Sequence, residues 1–387
     1  MRLQVDFTRP GSADGLYRLQ AAGCAAARLC WADEGKSLEG WTSFAYLPLD
    51  ALGRGCFCCG GGRAVPPEAR GILVRAVSDD LTECREEWFP LDPAQAAPPL
   101  EGELRVAVMS DLHLAARPET VRRALARASG ADLLLLAGDL TDDGTENQYQ
   151  QLRRAIDQLL PTTPVLAVAG NHDFASWPPE NLNCRAFQQW LRERWLAMDK
   201  GDWQDGPEGA YSVRLGRTAV LGLQAVAARQ SFDFAEGRQL EWLDCQLEQT
   251  RQASCRLVLC HAPLLRHNPR RKTGKNTPYL DRDRQLQQIL DRHRRVIFVS
   301  GHTHLSANNL QGCVEWDEQQ SNLYIDAGSV RRTELFAGEA IQPAAWREGS
   351  CTEITVGKSQ TQVAVRSVKT GRFYPRGYYR ISLGMDE

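Results

Sequence analysis

Five short apolar runs in this chain each end in residues that ionise or bind cations. Val106-Ala107-Val108-Met109 leads to Asp111-Leu112-His113, Leu133–Ala137 leads to Gly138-Asp139, and Val165-Leu166-Ala167-Val168-Ala169 leads to Gly170-Asn171-His172-Asp173. Leu257-Val258-Leu259-Cys260 leads to His261, and Val296–Ser300 leads to Gly301-His302-Thr303-His304. A single histidine in such a place reads most simply as a hydrogen-bonded core or surface residue. Five of the chain's seven histidines occupy these exits, accompanied by two aspartates and an asparagine, and that repetition reverses the simple reading. His267 and His293 lack the setting and are expected to be bystanders.

For the five exits to meet, the runs must be strands whose carboxyl ends share an edge, the edge where open α/β sheets bind ligands. Buried together without a cation, two carboxylates would repel and the imidazoles would be costly to desolvate. Metal ions resolve the conflict. Mixed His, Asp and Asn donors without thiolate suit Mn, Fe, Zn or Co better than Ca. Eight such groups exceed the needs of one ion, so two ions sharing one carboxylate, roughly 3.5–4 Å apart, are expected. A hydroxide held between two cations is nucleophilic near neutral pH.

The elements that must position these groups begin at Leu104. Strand-like and helix-like stretches follow, with helices expected over 119–129, from Thr145 onward, over 184–198, around Leu240, Leu243 and Leu247, and over 282–293. Thr145 and Gln148 have the spacing of a capping box, ahead of an apolar face at Leu152, Ile156 and Leu159. Beyond Gly301 strands return at 323–326, 352–356, 362–368 and 378–381. The expected fold is α/β, a two-sheet β-sandwich core flanked by helices. Residues 1–89 read instead as an all-β sandwich of fibronectin-III or immunoglobulin type, with strands at 3–7, 25–31, 43–47, 71–77 and 83–89. A proline-rich linker is expected over 90–103, and a second domain carrying the five exits over 104–387.

Composition narrows the partners. The chain has 387 residues, which suits two domains, with 43% hydrophobic and 24% charged residues and a net charge of −2. That charge gives no support for nucleic acid as the main partner. No apolar run reaches the roughly eighteen residues of a membrane span, and Met1-Arg2-Leu3-Gln4-Val5-Asp6 lacks the apolar core of a secretory signal. Twelve scattered cysteines point to a reducing cytoplasm. Cys56-Phe57-Cys58-Cys59, followed by three glycines, lacks paired C-x2-C spacing and reads as thiols in a tight turn. Trp31, Trp41 and Trp88 read as core rather than as a binding face.

The five blocks, D-x-H, GD, GNHD, a lone H and GHxH, occur in that order over residues 111–304 and resemble the calcineurin-like metallophosphoesterases. The resemblance implies that Asp111, His113 and His304 hold one metal, that Asn171, His261 and His302 hold the other, and that Asp139 bridges them. It makes His172 a group that donates to phosphoryl oxygens or protonates the leaving group, with Asp139 and Asn171 also in the catalytic set, and leaves Asp173 as support. Purple acid phosphatases carry Tyr three residues after the bridging Asp, where this chain has Asp142. Protein Ser/Thr phosphatases carry an arginine shortly after that Asp, and Leu140-Thr141-Asp142-Asp143-Gly144 has none. The run Gly138-Asp139-Leu140-Thr141-Asp142-Asp143-Gly144 is instead similar to the class III cyclic-nucleotide phosphodiesterase and glycerophosphodiesterase group.

The expected activity is therefore metal-dependent hydrolysis of a small or medium organic phosphodiester by a metal-bridging hydroxide, assisted by His172. The alternatives are a phosphomonoesterase on the same centre or an inactive metal-binding scaffold. The basic loop Arg266-His267-Asn268-Pro269-Arg270-Arg271-Lys272-Thr273-Gly274-Lys275-Asn276 follows His261 and is expected either to lean over the metals or to be a solvated surface loop. A homo-oligomer is left open.

Overall fold

The computed structural model describes residues 1–38, 43–80, 82–95, 100, 102, 104–174, 182–228, 231–234, 237–268, 279–304, 313–331 and 349–382. Two facing sheets form its centre. The first has six strands in the order Val165–Val168, Leu133–Ala137, Leu104–Met109, Ser350–Val356, Thr361–Ser367 and Phe373–Ile381. Its first three strands are parallel, and the remaining three are added antiparallel. The second sheet has seven strands in the order Trp203–Asp205, Tyr211–Leu215, Thr218–Gly222, Cys255–Leu259, Val296–Ser300, Asn322–Asp326 and Val314–Asp317. Its strands from Thr218–Gly222 to Asn322–Asp326 are parallel.

Parallel strands covered on both faces read as unbroken apolar runs, which is why Leu133-Leu134-Leu135-Leu136-Ala137 does not alternate. All five are buried. Leu133, Leu135 and Ala137 pack between the sheets against the cluster that holds Leu257, Leu259, Ile297 and Val299. Leu134 and Leu136 turn outward to the helices. Each such side chain contributes about 1.5–3 kcal/mol on burial.

Helices α1 (Pro118–Arg127), α2 (Glu146–Leu159) and α3 (Leu182–Ala197) cover the first sheet, and α4 (Arg238–Gln249) and α5 (Asp283–Arg292) cover the second. The start of α2 corrects one expectation. Thr145 is the N-cap but makes no side-chain capping bond. The Gln148 amide oxygen instead accepts from the Asp142 and Asp143 N–H groups at 3.2 and 3.0 Å. The Asp142 and Asp143 N–H groups thus take the amide oxygen that a capping box would turn to the helix start.

Residues 1–90 form two antiparallel sheets. One contains Arg2–Phe7, Gly15–Gln20 and Arg54–Cys59; the other contains Lys36–Ser37, Ala26–Asp33, Gly71–Val77 and Glu83–Pro90, with Ala45–Pro48 also paired to Ala26–Asp33. Their shared core includes Tyr17, Leu29, Trp31, Phe44, Ile72 and Val74. Trp31 stacks on Phe44 with ring centroids 4.2 Å apart, whereas Trp88 is 37% exposed and Trp41 lies outside the described residues.

The cysteine run is a strand, not a turn. Cys56 and Cys58 face solvent while Phe57 turns toward the core, the period of two that a strand imposes. The three glycines mislead, because they begin only after Cys59. No metal-holding group among the described residues includes a cysteine.

This β region packs on the free edge of the six-stranded sheet. Arg380 N–H donates to the Gly62 carbonyl at 2.9 Å and Ala64 N–H donates to the Tyr378 carbonyl at 3.3 Å. Ala364, Phe373 and Tyr378 complete its apolar core. An edge strand left with unpaired backbone groups is a template for aggregation, and these contacts cover it. No described helix is long and apolar enough to cross a membrane.

Candidate metal centre

All five exits lie at the carboxyl ends of parallel strands, three from one sheet and two from the other. The left-handed region is unfavourable for residues with a side chain. Ten non-glycine residues adopt it among those described, and Asp111, His113, Asp139, His302 and His304 are five of them. Strain at this density is a mark of a functional site.

The geometry brings two overlapping groups together, Asp111, His113, Asp139 and His304 in one, and Asp139, His261 and His302 in the other. Asp139 belongs to both. Its Oδ2 lies 3.7 Å from His113 Nε2 and 3.4 Å from His261 Nε2. Its Oδ1 accepts the His172 backbone N–H at 2.8 Å. His304 Nε2 is 2.9 Å from Asp111 Oδ1 and 3.3 Å from His113 Nε2. Two imidazole nitrogens and two carboxylates thus converge on one point.

Each ring is oriented from behind. His261 Nδ1 faces the Ala137 carbonyl at 2.7 Å, which aims Nε2 at Asp139. His172 Nδ1 faces the Asp142 carbonyl at 3.0 Å, which leaves Nε2 as the nitrogen able to exchange a proton with a bound molecule. Phe232 and Tyr279 meet the His302 ring edge-on, with centroids 4.8 and 4.6 Å away.

Asn171 Oδ1 is buried without a hydrogen-bond partner. A buried acceptor left unpaired is costly, and a cation would satisfy it. The electrostatics agree with that fit. Burial opposes the charge on Asp139, yet the neighbouring His261 holds its carboxyl far below the usual range. Burial lowers the His113 pKa, and it drives that of His302 down to about 3. Ionised carboxylates and neutral imidazoles are the forms that bind metals. His261 is the exception: burial works against its proton, but the Asp139 and Asp111 carboxylates push its pKa up to about 9. A proton there occupies the position that a cation would take.

Asp173 is wholly buried behind this layer. Its carboxylate accepts from Gly170 N at 2.8 Å, Thr141 N at 3.0 Å, Leu140 N at 3.1 Å and the Tyr149 hydroxyl at 3.2 Å. Burial and the Asp139 charge raise its pKa to about 6. Gly170 has an extended backbone, not a sharp turn. It is required by close approach, since a Cβ there would lie 2.3 Å from both Asp139 N and Asp139 Oδ1.

Sequence reasoning missed a second layer. Thr303 Oγ1 donates to Asp326 Oδ2 at 2.5 Å, Ser329 Oγ donates to the Asp111 carbonyl at 3.1 Å, and Gln224 Oε1 accepts Ala169 N–H at 3.0 Å. The signal for Asp326 was present, because it follows the apolar Leu323-Tyr324-Ile325 as the other exits follow theirs. His267 and His293 lie outside the cluster, paired with Glu315 at 2.9 Å and Asp244 at 2.7 Å. Arg266 points to Asp291 at 3.6 Å, while the rest of the basic loop from residue 269 onward lies outside the described residues.

A family model described as calcineurin-like phosphoesterase matches residues 104–306, just over half of the chain. The chain belongs to the calcineurin-like phosphoesterase family. It is accordingly a hydrolase. It is 28% identical over 214 residues to a probable cyclic nucleotide phosphodiesterase of Synechococcus, covering 52% of this chain and 73% of that protein. It is 26% identical over 179 residues to a 3',5'-cyclic-nucleotide phosphodiesterase of Nostoc, covering 45% of this chain and 56% of that one. It is 24% identical over 184 residues to a probable glycerophosphodiester phosphodiesterase of Arcobacter nitrofigilis, covering 46% of this chain and 59% of that one. Two solved structures share the metallophosphoesterase fold. A dimetal phosphatase from Danio rerio aligns with a TM-score of 0.51 at 14% identity, over 73% of this chain and all of that one. A purple acid phosphatase from yellow lupin aligns with a TM-score of 0.52 at 13% identity, over 98% of this chain and 74% of that one.

Proposed function

We propose that the protein hydrolyses phosphodiester bonds at a two-cation site. The observation that carries this reading is the position of Asp139, one carboxylate within 3.4–3.7 Å of a histidine from each group. Asp111, His113 and His304 would hold one ion, Asn171, His261 and His302 the other, and Asp139 would bridge them. When bound, the ions supply an activated water and neutralise phosphoryl charge. The donor set fits Mn, Fe, Zn or Co.

The chain's own groups do the rest. His172, held at Nδ1 by the Asp142 carbonyl, presents Nε2 to the leaving oxygen and gives it a proton. The Asp173 carboxylate holds the backbone at Gly170 and at Leu140 and Thr141 just after Asp139. Nearby nucleophiles are engaged elsewhere: Ser110 Oγ donates to the Ala137 carbonyl, Ser329 Oγ to the Asp111 carbonyl, and burial pushes the Cys260 thiol up to about 12. Direct attack by water is thereby favoured over a covalent enzyme intermediate.

The preference for diesters over monoesters rests on the similarity to named phosphodiesterases and on Asp142 at the position where purple acid phosphatases carry Tyr. The division into 1–89, 90–103 and 104–387 is part of the same proposal, supported by the separate sheets of the N-terminal region. Rates on bis-p-nitrophenyl phosphate and p-nitrophenyl phosphate with added Mn2+, together with elemental analysis, test it. Faster turnover of the diester and two ions per chain are expected. Faster turnover of the monoester supports the phosphomonoesterase instead, and negligible turnover of both removes the phosphodiesterase reading.

A further inference from the structure

The loop after Asn322–Asp326 brings a cation to the site that the ligand pattern does not contain. Arg331 N–H donates to the Asp111 carbonyl at 3.3 Å, so its backbone is fastened to a candidate ligand residue. Its guanidinium lies 3.5 Å from Asp142 Oδ1 and its side chain is 39% exposed. Asp142 is itself well anchored, since Oδ2 accepts Ala115 N–H at 2.8 Å and Ala116 N–H at 3.3 Å. An exposed ion pair of this length does little for stability. A guanidinium carries five donors in a planar fork, and among the described residues the one ion-pair contact of Arg331 is to Asp142 at 3.5 Å.

Position decides what it could bind. Asp142 Oδ1 lies 3.7 Å from His113 Nδ1, the nitrogen on the far side of the ring from the Nε2 that faces Asp139 and His304. Arg331 therefore meets the ligand cluster through Asp142 at the outer nitrogen of His113. The same Asp142 supplies the carbonyl that orients His172, and the His172 ring meets that of His113 at 4.7 Å. Arg331 and His172, the proposed proton donor, thus share Asp142 as a common neighbour.

We propose that Arg331 binds a second anionic group carried by the leaving half of the substrate, making the protein selective for phosphodiesters whose alcohol bears a carboxylate or a further phosphate. The inference rests on the phosphodiesterase reading above. Arg is the suitable residue because its fork matches both oxyanions in bidentate fashion.

The test compares ethyl 4-carboxyphenyl phosphate with its methyl ester, which differ by one charge on the departing phenol. In the wild-type protein loaded with Mn2+, kcat/KM is expected to favour the carboxylate. Arg331→Gln should lower that ratio about tenfold, mainly through KM of the charged diester, and Arg331→Lys should retain an intermediate ratio. Metal content should be the same in all three proteins. A ratio unchanged in Arg331→Gln overturns the assignment while leaving the phosphodiesterase reading standing. A wild-type protein that hydrolyses neither diester removes that reading and the assignment with it.

Discussion

His172 donates its backbone N–H to Oδ1 of Asp139 at 2.8 Å, so the proposed proton donor and the proposed bridging ligand are tied through the main chain. The imidazole takes no part in this bond. Replacing the ring therefore separates chemistry from metal binding: His172→Ala is expected to lower kcat by about 10²–10⁴. Elemental analysis should find its metal content equal to that of the wild type. An unchanged rate would remove His172 from the mechanism.

Asp139→Asn should act on the metals themselves. It removes the charge that faces His113 and His261 together. We expect fewer than two ions per chain and a rate at least about a hundredfold lower. Retention of both ions with full activity would refute the bridging role.

Metal binding should also be visible as stability. A ligand that binds only the folded state at about a hundred times its Kd stabilises by about 2.7 kcal/mol. Chelation is expected to lower the Tm of the wild type and of His172→Ala alike, and Mn2+ to restore it. Asp139→Asn should show a smaller response. Equal Tm with and without chelator in the wild type would contradict a resident metal.

Asp173→Ala would orphan buried donors from Gly170, Leu140, Thr141 and Tyr149 at once. Several unpaired buried groups cost about 3 kcal/mol or more together. Thermal or urea unfolding should show this loss, and activity should fall because the Asp139 loop is no longer held. A variant as stable as the wild type would show that water replaces the carboxylate.

Two glycines give a controlled comparison. Gly170→Ala places a Cβ against Asp139, whereas at Gly216 a Cβ meets nothing within 4 Å and only a positive φ of 58° stands against it. Displacing a catalytic group by about an ångström costs about a hundredfold in rate. Gly170→Ala should therefore lose activity strongly, while Gly216→Ala costs about 1 kcal/mol of stability and little rate. Similar rates in the two variants would exclude the steric role of Gly170.

Much of this architecture was legible from local pattern. The apolar runs ending in Asp, Asn or His are strands whose sides are both covered, and burial of the whole run is what makes it continuous. The helices over 238–249 and 283–292 follow from apolar spacing in the same way. The strands Gly15–Gln20 and Arg54–Cys59 were not legible: Gly15–Gln20 is interrupted by Arg18, Arg54–Cys59 carries one large apolar residue, Phe57, and pairing within a three-stranded sheet secures both. Gln148 departed from its capping pattern for a related reason: a nearby loop offered it better partners.

By itself the sequence determined which residues could serve as ligands, since strand exits place chemistry-bearing side chains on one edge wherever the strands are parallel. The tertiary structure alone decided how those residues are shared and supported. His113 meets His304 across 191 positions of chain, and Asp139 lies between histidines from different sheets. Asp326, Gln224 and Arg331 enter through contacts with residues remote in sequence. Such pairings depend on how two sheets are stacked and turned, and periodicity along one strand carries no record of that.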